Sequence, residues 1–182
     1  MVLIYANIDF ELTEISLRSK PPEMLNFSPK GTVPVLIVDE QIIDESMDII
    51  EWVIDQKPNL KINTQSPQEK DKALEIIKEN DTNFKKALDA YKYSIRYPEK
   101  NIDQLFKETT NFLDYIEAKL SRTDFLVNNH LTYADIAVFP FVRQLVNVNR
   151  HRFFKLQLKN VEKWLTGLID SNLFRRAMLK PN

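Results

Sequence analysis

The chain of 182 residues has no cysteine, only two glycines, two histidines and almost no net charge. Without cysteine it can form no disulfide framework, no thiolate metal site and no thiol nucleophile of its own, which fits a reducing, cytoplasmic setting. His130 and His151 stand too far from other ligating side chains to suggest a metal site or a catalytic base. A net charge of −1 removes the electrostatic case for nucleic acid or an anionic membrane as main partner. The short basic clusters Arg150-His151-Arg152 and Arg175-Arg176 read as solvated surface. Met1–Ala6 is too short and uncharged for a signal peptide, and no later apolar run is long enough to span a bilayer. What remains is ordinary for a soluble globular protein, with 43% hydrophobic and 28% charged residues. The length suffices for one domain or two small ones.

Two regimes follow one another along the chain. Residues 1–56 mix strand and helix signals. Ile8, Phe10 and Leu12 alternate with polar residues and predict a half-buried strand. Pro21-Pro22 opens a short helix, where proline is tolerated in the first turn. Val33–Asp39 and Ile42–Asp44 predict a hairpin about Asp39-Glu40-Gln41, and Ser46–Gln56 places Ile49, Ile50, Val53 and Ile54 on one helical face. Residues 57–67 break every period and read as a linker.

Residues 68–182 read as an all-helical domain, rigid because it is so poor in glycine. Phe84, Leu88, Tyr91 and Ile95 form one stripe; Leu105, Phe112, Ile116 and Leu120 form a second. Thr132–Val148 and Val161–Ile169 supply two more helices. At the first of these, Thr132 and Asp135 are spaced for a capping box, with Leu131 and Ile136 at the positions of a hydrophobic staple. This cap heads a helix expected to be buried all round and bent at Pro140. It speaks to fold rather than chemistry.

The motif that speaks to chemistry is Ser28-Pro29-Lys30-Gly31-Thr32-Val33-Pro34-Val35-Leu36, followed by Asp44-Glu45-Ser46. Gly31 permits a tight loop, and Pro34 removes a backbone donor at a strand entry. Glu45-Ser46 sits where a helix begins, and free N–H groups with a hydroxyl there suit a carboxylate. The residues also allow plainer roles: Ser46 as an N-cap, Lys20 as solvated surface and Pro34 as strand punctuation.

Taken in order with Leu131-Thr132-Tyr133-Ala134-Asp135, Trp164-Leu165 and Leu173-Phe174-Arg175-Arg176-Ala177-Met178, this pattern resembles a bacterial glutathione transferase along essentially the whole chain. Ser19-Lys20-Pro21 and Glu45-Ser46 are most similar to the omega-class and glutaredoxin-like branches. The resemblance implies an α/β thioredoxin-like N-terminal domain followed by an all-α helical-bundle domain, with a cis peptide bond before Pro34. It implies that the main chain of Val33 meets the cysteinyl part of glutathione, Ser46 the γ-glutamyl carboxylate, Glu45 the α-amino group and Lys20 the glycyl carboxylate. Glutathione would be a co-substrate beside a small apolar electrophile, received by Tyr91, Tyr93, Arg96 and Tyr97 unless these serve as core or dimer contacts. A homodimer is the family habit.

One departure from the family pattern stands out. Met1–Asn7 aligns with the end of the family's first helix, so the first strand and the nucleophile-bearing turn are expected to be missing, and no catalytic residue is assigned. Tyr5 would lie at the far end of that helix. Ile8–Ile15 is then expected to shift onto Val35–Val38, to pair with another chain or to be poorly ordered. A strand at Met1–Tyr5 is the alternative. Three functional readings follow: a glutathione-dependent conjugating or reducing enzyme impaired in this chain, a non-catalytic interaction protein of the stringent-starvation type, or the product of a misassigned start.

Overall fold

The computed structural model describes residues 1–64 and 66–179. Gln65, in the expected linker, and Lys180–Asn182, in the expected helical domain, lie outside the described residues. The chain divides into two compact units, one of Met1–Leu60 with the C-terminal stretch from Asn172, the other of Lys61–Ser171.

The first unit opens with a short helix α1 (Val2–Tyr5), not a strand. Asn7 follows at φ 51°, a left-handed residue at the usual helix-stop position. The Lys57 ammonium donates to the free carbonyl of Ala6 at 2.7 Å, supplying a cation at the negative end of α1. Helix α2 (Pro22–Phe27) begins on its proline as expected. Strands β1 (Leu36–Val38) and β2 (Gln41–Ile43) form an antiparallel hairpin with Leu36 opposite Ile43. Asp39 turns it at φ 51°, a conformation Asp tolerates better than most residues. Helix α3 (Ser46–Gln56) buries Ile49, Ile50 and Val53, and α1 packs on α3 and on α10 (Asn172–Ala177).

The half-buried strand expected at residues 8–15 does not form. Among the described residues the sheet has two strands, and Ile8–Ile15 pairs with neither, so the shift onto Val35–Val38 is not seen. Phe10 and Leu12 are 41% and 45% exposed, so alternation alone did not make a strand where no ladder partner lies alongside.

The second unit is helical: α4 (Pro67–Glu79), a π-turn at Asn80–Phe84, α5 (Lys85–Lys92), α6 (Ile102–Leu120), α7 (Tyr133–Val148), α8 (Arg150–Lys155) and α9 (Lys159–Asp170). Its core holds Phe84, Leu88, Tyr91, Leu105, Phe112 and Ile116. Ile95 departs from the expected stripe and is 91% exposed. The α-helix ends at Lys92 with Tyr93 as its cap, and the 3₁₀ turn Ser94–Arg96 replaces a period of 3.6 by one of 3. Helix α7 is buried on most but not all sides: Pro140 is exposed, while Ala137 and Phe141 are half-buried.

The capping box at Thr132 forms. Asp135, fully buried, accepts from Leu126 N–H and Trp164 Nε1 on one oxygen and from Thr132 N–H and Oγ1 on the other, all at 2.9 Å. Burial pushes its carboxyl above the usual range, with these four donors pulling against it. One carboxylate thereby ties the loop before α7, the first turn of α7 and the middle of α9.

Candidate functional site

The first unit concentrates its polar detail where the loop 28–34 meets the start of α3. Ser28 N–H donates to Met24 and closes α2, and Gly31 N–H returns to the Ser28 carbonyl at 2.9 Å. Gly31 sits at φ 60°, and a Cβ added there would come within 2.9 Å of Lys20 Nζ and 3.1 Å of Leu25 Cδ2. Glycine is therefore required by its backbone angle, while the flexible lysine lying across it is able to shift aside. The Lys20 ammonium thus lies on the same loop that carries Val33 and Pro34.

The Val33–Pro34 peptide bond is cis, as expected. Val33 is 49% exposed, and neither its N–H nor its C=O has a hydrogen-bond partner among the described residues. It therefore presents a donor and an acceptor on a strand-like backbone, ready to pair with another extended peptide.

Eight residues beyond β1, the chain enters α3. Glu45 holds the cap position with its side chain turned to other work, and Ser46 is the first helical residue rather than the cap. Ser46 is exposed, and its hydroxyl has no partner among the described residues. The N–H groups of Ser46, Met47 and Asp48 are likewise free of backbone partners, the ladder starting with Ile49 on Glu45. Unsatisfied donors and the positive end of the helix dipole coincide there.

A brace that sequence reasoning did not find joins the loop to the helix mouth. Ser28, fully buried, donates its hydroxyl to Asp44 Oδ2 at 2.9 Å. Lys30 Nζ reaches Asp44 Oδ1 at 3.2 Å and Glu45 Oε1 at 2.9 Å. The Ser28 hydroxyl, then the Lys30 ammonium, hold the Asp44 carboxyl below its ordinary range. Glu45, then Asp44, raise Lys30. Ser28, Lys30 and Asp44 all stand in the motif, but 14 to 16 residues separate the partners, so no local spacing could reveal their pairing.

The four side chains considered for an apolar co-substrate belong to the helical unit. Tyr91 is a core residue with its ring 5.2 Å from that of Phe106. Tyr93 carries Arg96 at 4.5 Å and Lys92 at 5.0 Å over its ring. Tyr97 is partly exposed. Tyr5 closes α1 at its C-terminal end. No cluster of ligating side chains suited to a metal occurs among the described residues, and no helix there is long and apolar enough to cross a membrane.

Comparison with known proteins is consistent along the chain. Residues 1–64 match the family model described as the glutathione S-transferase N-terminal domain, and residues 99–167 match that of the C-terminal domain. Glutathione S-transferase F10 of Arabidopsis thaliana is 25% identical over 179 residues, covering 90% of this chain and 82% of that protein. The fold is shared with a glutathione transferase from Burkholderia graminis bearing two glutathione molecules per subunit (TM-score 0.86, 17% identity, 100% of this chain and 82% of that one). It is shared also with one from Pseudomonas putida bearing one glutathione disulfide per subunit (TM-score 0.86, 18% identity, 100% and 85%).

Proposed function

Because the chain belongs to the glutathione S-transferase family, we propose that its first unit binds glutathione through Val33, Ser46, Glu45 and Lys20. The observation that carries this reading is the open mouth of α3: a free Ser46 hydroxyl and free first-turn N–H groups, joined by the Lys30 brace to the loop of Val33. A carboxylate is the natural occupant of such a mouth, and the γ-glutamyl end of glutathione supplies one. The main chain of Val33 pairs with the cysteinyl residue as one strand pairs with another. Lys20, lying across Gly31, offers the glycyl carboxylate a cation. The Glu45 carboxylate takes the α-amino group while sharing its charge with Lys30.

These contacts bind and orient the tripeptide; they do not activate its sulfur. Conjugation or thiol reduction of a small apolar electrophile is the reaction class the family membership supports, within a homodimer in the cytoplasm. The side chains of this chain include no thiol, and Tyr5 stands at the wrong end of α1 to hold a thiolate. Turnover with glutathione and a standard aryl halide is therefore expected at least about a hundredfold below that of a relative with a sulfur-activating side chain beside its glutathione site.

Calorimetric titration with glutathione tests the binding. Saturable binding that Ser46→Ala weakens about fivefold, the worth of roughly one hydrogen bond, is the expected result. No heat of binding in the parent chain, or an unaltered affinity in the variant, refutes the assignment.

A further inference from the structure

The brace between the loop and α3 holds charges of both signs, and its members are not equally occupied. Asp44 uses both oxygens, Oδ2 for the Ser28 hydroxyl and Oδ1 for the Lys30 ammonium. Glu45 uses one. Its Oε1 meets Lys30 Nζ at 2.9 Å, while Oε2 has no partner among the described residues. The Lys30 ammonium carries three donors and places two of them, so one is open. The side chains of Lys30 and Glu45 are 55% and 59% exposed, that of Asp44 only 25%. An open donor and an open acceptor thus stand side by side on an accessible ion pair, at the residue just before Ser46.

The surrounding charge gives this pair its importance. Asp44, Glu45 and Asp48 bring three carboxylates to the entry and first turn of α3. Asp48 is exposed, and its side chain has no partner among the described residues. Together these charges oppose the attraction that the free N–H groups offer a carboxylate. Among the described residues Lys30 is the one cation in contact with any of the three. A carboxylate arriving at the mouth therefore depends on Lys30 for its counter-charge.

We infer that Lys30 is a specificity residue: with Glu45 it forms a standing ion pair against which the zwitterionic amino-acid head of glutathione lies antiparallel. The open Nζ donor meets the α-carboxylate at the mouth of α3, and Glu45 Oε2 meets the α-ammonium group. Two opposite charges carried on one carbon thereby face two opposite charges held 2.9 Å apart. Asp44, filled on both oxygens, does not compete for the ammonium and keeps Lys30 in place. The inference rests on glutathione binding at this mouth, and adds what the mouth selects: a ligand with both charges at its γ-glutamyl end rather than either one alone.

Calorimetric titration of the full chain with two ligands tests it: glutathione, and 4-aminobutyryl-cysteinylglycine, which lacks only the α-carboxylate. Lys30→Gln is expected to bind glutathione about fivefold more weakly than the parent chain, and to bind the analogue as the parent does. Lys30→Arg, which keeps the charge and more than one donor, is expected to retain most of the affinity for glutathione. An equal loss for both ligands in Lys30→Gln makes the lysine a brace alone and overturns the proposal. So does a glutathione affinity that Lys30→Gln leaves unchanged. A parent chain that binds no glutathione overturns the underlying reading as well, so the parent titration tells the two failures apart.

Discussion

The hydroxyl of Ser28 donates to the carboxylate of Asp44 at 2.9 Å across sixteen residues of sequence, with Ser28 wholly buried. This one bond holds the end of α2 against the entry to α3. Through Lys30 it extends to Glu45, so the loop bearing Val33 and the mouth bearing Ser46 are braced by the same four side chains. Ser28→Ala is expected to lower stability by about 1 kcal/mol, the usual worth of such a bond. Its effect on glutathione affinity should match or exceed that of Ser46→Ala, because both sides of the cradle loosen. Urea unfolding and calorimetry on one preparation measure both quantities.

The pH dependence of the brace has a definite sign. Asp44 has a lowered carboxyl pKa in the folded chain, through Ser28 first and Lys30 second. Its contribution is thus present in full above the unfolded value of about 4 and fades as pH falls through the lower folded value. The stability difference between the parent chain and Asp44→Asn should be constant from pH 5 to 7 and shrink toward pH 3. A difference that grows on acidification contradicts the assignment. Lys30, raised in the folded chain, adds nothing to this window, since it is fully protonated throughout.

Gly31→Ala is expected to destabilise the chain by about 1 kcal/mol or more and to weaken glutathione binding. The added methyl meets a left-handed backbone and the Lys20 side chain at once. Lys20→Ala in the Gly31→Ala background should recover little of the lost stability, because the lysine end shifts cheaply while the backbone strain stays. Thermal midpoints of the two single variants and the double variant separate these contributions.

Asp135 carries a heavier load in the helical unit. Asp135→Ala leaves the Trp164 indole, Leu126 N–H and Thr132 N–H without their acceptor in a dry interior. A loss of about 3 kcal/mol or more is expected. In a Trp52→Phe background, which leaves Trp164 as the one indole, emission read through guanidinium unfolding reports the loss and the altered surroundings of that indole together. Asp135→Asn, which keeps an acceptor oxygen, should lose less.

Elements whose causes are local are legible in the residues themselves. Pro22 opens α2, Ser46–Gln56 is a helix with Ile49, Ile50 and Val53 inward, and Thr132 with Asp135 starts α7, because each rests on contacts within a few residues. The motif from Ser28 to Leu36 likewise announced its loop and strand. The remaining features arise only once distant segments pack together. Alternation at residues 8–15 looked like a strand, yet a strand needs a ladder partner and none lies beside it. The stripe through Ile95 failed because the helix stopped three residues earlier, at Lys92. The Ser28–Asp44–Lys30–Glu45 brace joins residues far apart in the chain, and the π-turn at Asn80–Phe84 alters a helix's winding. Such features depend on where distant side chains come to rest, and no local period encodes that.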